Sequence, residues 1–288
     1  MKVSVGLPVY NGERFLGEAI ASFLAQTFTD FELIVCDNAS TDRSGAIAQD
    51  AAARDARVRY VLHPTNIGAA RNFQSALAEA RAPYFRWAAA DDLNAPTSLA
   101  RCVQVLDADP RVVLAYPKTR FIDENGAVTQ DYDDNVHLQA PRASDRFRQL
   151  LGQLARCNAA YGLVRTDVMR RIAPLGAYIG SDICLLAELT LYGTFWEVPE
   201  YLFLRRFHAE AASAKDDSQL RSHYDPARTR HFFMREWRFL WEHLGAVRRA
   251  PLPFGEKLRL YTFLGRSAIW NRSLLAREVA GALRARWA

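Results

Sequence analysis

The chain predicts an α/β fold, with a mostly parallel central sheet flanked by helices and a C-terminal helical extension. Two observations carry this expectation. Short apolar runs alternate with amphipathic stretches through the first 116 residues, which implies right-handed βαβ units. Beyond about Gln219 the strand pattern stops and helical periodicity runs to the end. The length fits, because 288 residues suffice for one large domain with an appendix.

The elements follow in order. Residues 2–7 form a short apolar strand, and 12–26 a helix with Phe15, Ala19, Ile20, Phe23 and Leu24 at helical spacing. A strand over 31–36 leads into a helix over 42–54. The third strand spans 58–62, with a helix over 69–80 behind it. The fourth spans 83–87, followed by a helix over 95–107 and a fifth strand over 112–116. The alternation then breaks. Residues 118–122 and 127–130 flank Asp123-Glu124-Asn125-Gly126 and read as a hairpin. The polar segment 131–142 reads as a loop over the sheet edge, then come a helix over 145–156 and a strand over 160–164. Residues 181–192 form an amphipathic helix, and 195–198 and 201–205 two short strands. The small, polar segment 209–219 reads as a mobile loop. In the extension, Pro251-Leu252-Pro253 breaks the helix, and Gly265 offers a second break.

Composition excludes several classes. Half the residues are hydrophobic and 24% charged, which argues against disorder and for a full core. Cys36, Cys102, Cys157 and Cys184 are scattered singly, so neither a disulfide framework nor a zinc site is expected. Met1-Lys2 leads straight into a strand, so no leader peptide is expected, and no apolar run approaches membrane-spanning length. The expectation is a cytoplasmic protein, or one peripheral on the inner face of the cell membrane. Residues 219–288 carry 14 Lys and Arg against 5 Asp and Glu, a net +9, so the remainder sums to −4 of the total +5. A basic tail behind an acidic body suits an anionic membrane surface or an anionic acceptor. A homodimer interface and simple packing onto the body are the competing uses of the tail. No nucleic-acid-binding motif appears, so no nucleic-acid partner is expected.

Four loops carry chemistry. The apolar run ending at Ala90 stops in Asp91-Asp92, which puts two carboxylates at the carboxyl edge of a sheet. Hard oxygen ligands there suit Mg²⁺ or Mn²⁺ with a diphosphate, although capping of the next helix would also explain the pair. The first loop, Leu7-Pro8-Val9-Tyr10-Asn11-Gly12, is neither a dinucleotide fingerprint nor a phosphate-binding P-loop. The second strand ends in Cys36-Asp37-Asn38-Ala39-Ser40-Thr41-Asp42, where Asp37 could accept the imide N–H of uracil or thymine, or ribose hydroxyls. After the third strand, Asn66 and Gly68 make a tight turn, and Arg71 follows in the first turn of a helix. A cation there opposes the helix dipole, and a phosphate would explain it.

The order of these motifs at these spacings resembles glycosyltransferase family 2, the inverting transferases of GT-A type nucleotide-diphospho-sugar fold. The resemblance covers residues 2–96 and extends to about His208. It implies a donor-binding set of Pro8, Tyr10, Asn11, Asp37, Asn66, Arg71, Asp91 and Asp92. It implies a Mg²⁺ or Mn²⁺ ion held by Asp91, Asp92 and His208, the last from an R-x-x-H segment starting at Arg205. The family often has D-x-D-D where this chain has Ala89-Ala90-Asp91-Asp92, so one carboxylate is missing. The acidic pair that precedes a later family helix is Ser181-Asp182 here, which leaves Asp182 as the catalytic base. The absence of a Q-x-x-R-W segment favours transfer of a single sugar.

The implied enzyme is a hexosyltransferase-type glycosyltransferase that uses a UDP- or dTDP-sugar and a saccharide or lipid-linked saccharide acceptor in cell-surface polysaccharide or glycolipid synthesis. The implied domains are 1–218, catalytic, divided into a nucleotide-binding half (1–116) and an acceptor-binding half (117–218), and the basic helical extension 219–288. The alternative is a nucleotide-sugar-binding protein with weakened catalysis, which the missing acid at Ala89 supports. A sugar-phosphate nucleotidylyltransferase would need a Gly-rich basic first loop, which this chain lacks.

Overall fold

The computed structural model describes residues 1–209 and 234–287. Most of the polar segment 209–219 and the start of the helical extension therefore lie outside the described residues.

β1 (Val3–Val9), β2 (Phe31–Asp37), β3 (Val58–Leu62) and β4 (Tyr84–Trp87) lie parallel in the order β3-β2-β1-β4. They are linked by α1 (Leu16–Leu24), α2 (Ser44–Arg54) and α3 (Ala69–Glu79). The chain runs outward from β1 to β3, then returns to place β4 on the other side of β1. The loops after β1 and β4 consequently diverge and open a crevice, the switch point where open α/β sheets bind ligands.

The sheet continues through β8 (Leu163–Arg165), β6 (Val112–Ile122), β9 (Thr194–Arg206) and β5 (Leu93–Asn94), with β7 (Val128–Tyr132) paired to β6. β8 is antiparallel to both β4 and β6, whereas β9 runs parallel to β6. The end of β9 therefore reaches the same edge as the ends of β1 and β4. The sequence divides β6 at Pro117 and β9 at Pro199; both are single strands. Each proline sits at a register shift between β6 and β9, where a ladder bond is skipped and the missing N–H does no harm. Two short elements escape the sequence pattern, the two-residue β5 and α6 (Thr166–Arg171).

The alternation of β2 divides the core. Leu33 and Val35 face α1, α2 and α4 (Ser98–Ala108), whereas Ile34 and Cys36 face α3 and the later helices. That second face is built by α5 (Ala143–Gln153), α6, α7 (Ser181–Leu189), α8 (Arg235–Arg249) and α9 (Phe254–Trp270). The extension breaks at Pro251-Leu252-Pro253 as expected, but α9 runs through Gly265 and stops at Asn271, where α10 (Arg272–Trp287) begins. An interior glycine weakens a helix by only about 1 kcal/mol, which the packing of Leu260 and Leu264 on the core offsets. All four cysteines are free thiols. Among the described residues no helix is long and apolar enough to cross a membrane.

Candidate active site

A cavity of about 860 Å³ opens at the carboxyl ends of β1, β2, β4 and β9. Small-molecule sites span roughly 300–1,000 Å³. Pro8, Tyr10, Asn11, Asn66, Asp91, Asp92, Asp182 and His208 all line it. The residues that the sequence scatters over 200 positions thus meet in one place. Asp37 and Arg71 are not among its lining residues.

The loops above the sheet are held by asparagine side chains. Asn11, at φ 51°, accepts the Thr41 amide on Oδ1 at 2.8 Å, which ties the first loop to the second. Asn38 donates to Asn66 Oδ1 at 2.9 Å and accepts the Ile67 amide at 2.8 Å, tying the second loop to the third. Asn72 donates to the carbonyls of Val9 and Cys36. Its own Oδ1, buried at the cavity wall, has no hydrogen-bond partner among the described residues. Asn11 and Asn66 therefore have structural duties beside whatever they offer a ligand.

Asp37 is buried. Its Oδ1 accepts the Ser40 amide and its Oδ2 the Tyr60 hydroxyl, each at 2.8 Å. Burial, then the Asp37 carboxylate, push the Tyr60 hydroxyl up to about 12. Arg71 lies in the first turn of α3, exposed, with no hydrogen bond or ion pair among the described residues.

The two aspartates after β4 differ. The Asp91 carboxylate is half-buried and its Oδ2 stands 3.0 Å from His208 Nε2. Asp92 is buried, and its Oδ1 accepts the backbone N–H of Arg206 at 2.8 Å. Burial, reinforced by the neighbouring Asp91 charge, raises the Asp92 carboxyl well above the usual range. Asp91 is thus the more open of the two carboxylates at the cavity.

Arg206 organises this corner, and the sequence reading passed over it. The side chain is buried over the Phe15 ring. It donates to the Asp91 and Glu124 carbonyls, both at 2.9 Å, and to Glu18 Oε2 at 2.7 Å. Phe15 also packs on His208 at 4.7 Å between ring centroids. The available signal was an arginine closing a strand beside Arg205.

Asp182 enters from the opposite wall, in the first turn of α7. Gly180 precedes it at φ 84°, a left-handed conformation that turns the chain into the helix. Cys157 lies against Asp182; burial, then the Asp182 charge and hydrogen bond, push its thiol up. Arg205 adds a cation to the wall, held by Asn158 Oδ1 at 2.6 Å.

The residues offer a metal one carboxylate oxygen from Asp91 and one imidazole nitrogen from His208. Among the described residues no group of three or more His, Cys, Asp and Glu is arranged to hold an ion. Ala89, at the position of the missing acid, lines the cavity beside Ala90. The donor set fits Mg²⁺ or Mn²⁺ only as a shared site completed by ligand oxygens, since Mg²⁺ is commonly bound by one or two carboxylates plus phosphates. Chemically, the cavity combines the Asp91–Asp92 corner, the Arg205 cation and the Asp182 carboxylate.

The family described as Glycosyl transferase family 2 matches residues 4–173. An uncharacterized protein of Mycobacterium tuberculosis (strain ATCC 25618 / H37Rv) is 36% identical over 194 residues, covering 62% of this chain and 54% of its own length. The chain thus spans about half the length of such curated relatives. S. aureus TarS 1–349 in complex with UDP-GlcNAc superposes with a TM-score of 0.68 at 16% identity, over 99% of this chain and 81% of that one. A mannosyltransferase from Pyrobaculum calidifontis in complex with GDP-Man and Mn²⁺ gives 0.55 at 19% identity, over 98% and 75%.

Proposed function

The chain belongs to glycosyltransferase family 2 and has its GT-A type fold, and from that premise we propose that it transfers one sugar from a UDP- or dTDP-sugar to an acceptor hydroxyl with inversion. The observation that carries this reading is the convergence of Asp91, His208 and Asp182 on one cavity at the switch point of the sheet. The loop residues Pro8, Tyr10, Asn11 and Asn66 face the nucleoside, and Asp37, buried below them, holds the second loop through the Ser40 amide. Arg71 and Arg205 are the cations available to the diphosphate. Asp182 takes the proton of the acceptor hydroxyl as the hydroxyl oxygen attacks the anomeric carbon and the diphosphate departs from the opposite face. No enzyme nucleophile is needed.

Asp91 and His208 are the residues that would hold Mg²⁺ or Mn²⁺, with Asp92 fixing the loop behind them. A bound divalent ion supplies charge neutralisation for the departing diphosphate. Two neighbours support a nucleotide-sugar donor, one in complex with UDP-GlcNAc and the other with GDP-Man and Mn²⁺. Residues 1–218 then form the catalytic unit, with 1–116 holding the nucleotide and 117–218 the acceptor. Cell-surface polysaccharide or glycolipid synthesis is the process that suits such an enzyme. The second reading, a nucleotide-sugar-binding protein with weakened catalysis, rests on Ala89 and the missing third ligand.

The test is hydrolysis of UDP- and dTDP-sugars with Mn²⁺ or Mg²⁺, using GDP-mannose as the comparison donor. Asp182→Asn is expected to lower turnover by about 10²–10⁴-fold while nucleotide binding persists. Nucleotide binding without turnover in the unsubstituted protein would favour the second reading. Absence of binding to any nucleoside diphosphate would defeat both.

A further inference from the structure

The outer face of α9 carries large exposed apolar side chains. Phe254, Leu258, Tyr261 and Ile269 recur at i, i+4, i+7 and i+15, which is one side of a helix. Phe254 is 80% exposed, Ile269 66%, and Trp270 at the helix end 85%. The opposite side is already used: Leu260 and Leu264 are buried, and Phe263 meets Phe147 of α5 edge-on. The exposed stripe is therefore not a core face missing its partner within the described fold. Leu283 of α10 is also exposed.

Charge is sorted across the same two helices. Their two acids both point inward. Glu256 Oε2 accepts the Ser144 amide at 3.0 Å, and the Glu278 carboxylate accepts the Glu236 and Trp237 amides at the start of α8. Arg266, Arg272, Arg277 and Arg284 are exposed and have no carboxylate partner among the described residues. An exposed apolar stripe on α9, with exposed arginines on α9 and α10 that lack carboxylate partners among the described residues, matches the chemistry of a bilayer interface, where rings and aliphatic chains enter the headgroup layer and guanidinium groups meet lipid phosphates. A second copy is a poor occupant. A two-fold contact sets the same patch against itself, so arginine would face arginine.

We propose that α9 and α10 form a docking surface for an anionic lipid bilayer. The proposal goes beyond the glycosyl-transfer reading and does not depend on it.

The test is co-sedimentation of the full chain at low salt with vesicles of phosphatidylcholine alone, or phosphatidylcholine with phosphatidylglycerol. Binding is expected to the anionic vesicles only. Arg277→Gln with Arg284→Gln should weaken it roughly fivefold per arginine, about 1 kcal/mol each. Ile269→Ser with Trp270→Ser should weaken it at low and high salt alike, because apolar insertion is not screened. These side chains are exposed, so circular dichroism should be unchanged, and hydrolysis of a soluble donor should be unaffected. Equal partitioning to both vesicle types, no sedimentation with either, or full binding by both variants would overturn the proposal. So would a dimer, seen by light scattering, that Trp270→Ser dissociates. Vesicle binding without donor turnover would leave this surface standing and the enzymatic reading fallen.

Discussion

Arg206 shows how one side chain can set the form of a site without facing the ligand. Its guanidinium spans two carbonyls and a carboxylate, and its backbone N–H fixes Asp92. Glu18 is largely exposed, so the ion pair itself contributes little; the carbonyls of Asp91 and Glu124 matter more. Arg206→Met is expected to remove both hydrogen bonds and to destabilise the fold by roughly 1–3 kcal/mol, at about 0.5–1.5 kcal/mol per bond. Arg206→Lys should fall between, since one ammonium cannot reproduce a planar fork. Urea denaturation measures this, and a methionine variant as stable as the parent would show that the clamp is idle. The sequence pointed to Asp91, Asp182 and His208 because each ends or begins an element at the sheet edge. It could not point to Arg206, Asn38 or Asn72, whose partners lie far off in the chain.

Among the elements, β1 and α3 pack in close contact. Successive residues of β1 alternate faces, so Val3, Val5 and Leu7 enter one core while Gly6 faces α3. A Cβ on Gly6 would stand 2.7 Å from the Ala76 Cβ and 3.0 Å from the Phe85 ring. Gly6→Ala is therefore expected to cost about 1–3 kcal/mol by overpacking. Combined with Ala76→Gly it should cost less than the two single changes summed, which a double-mutant cycle reads directly. Strict additivity would mean that α3 does not rest on this contact. Strand and helix positions in this half were legible because each element is short, buried and bounded by polar turns. In the second half β6 and β9 each carry a proline that breaks the local pattern, and only their pairing keeps them continuous.

Across the whole molecule, buried acids connect stability to pH. Asp134 is buried, and burial, with the Glu197 charge adding to it, raises its carboxyl to about 7. It accepts from Asn158 at 3.3 Å, and Asn158 in turn holds Arg205 at the cavity. Glu197 is likewise raised to about 7, chiefly by burial. The unfolded chain releases an aspartate proton near pH 4, whereas the folded chain keeps it to about 7. Between those values the folded state binds the extra proton, so stability falls as pH rises through the window. Asp134→Asn should flatten that fall. Denaturant titrations at several pH values between 4 and 7 test it, and an unchanged slope would remove Asp134 as the cause.

What the sequence determined by itself was the α/β class, the order of elements through β4, the motifs of the cavity edge and the basic tail. These depend on local periodicity and on residues adjacent in the chain. Tertiary structure alone decided which aspartate stays open, what holds the loops, and which side of α9 faces outward. Each of those is settled by a contact between residues far apart in sequence, such as Arg206 with Asp91 or Glu278 with Trp237, and local pattern carries no information about such contacts.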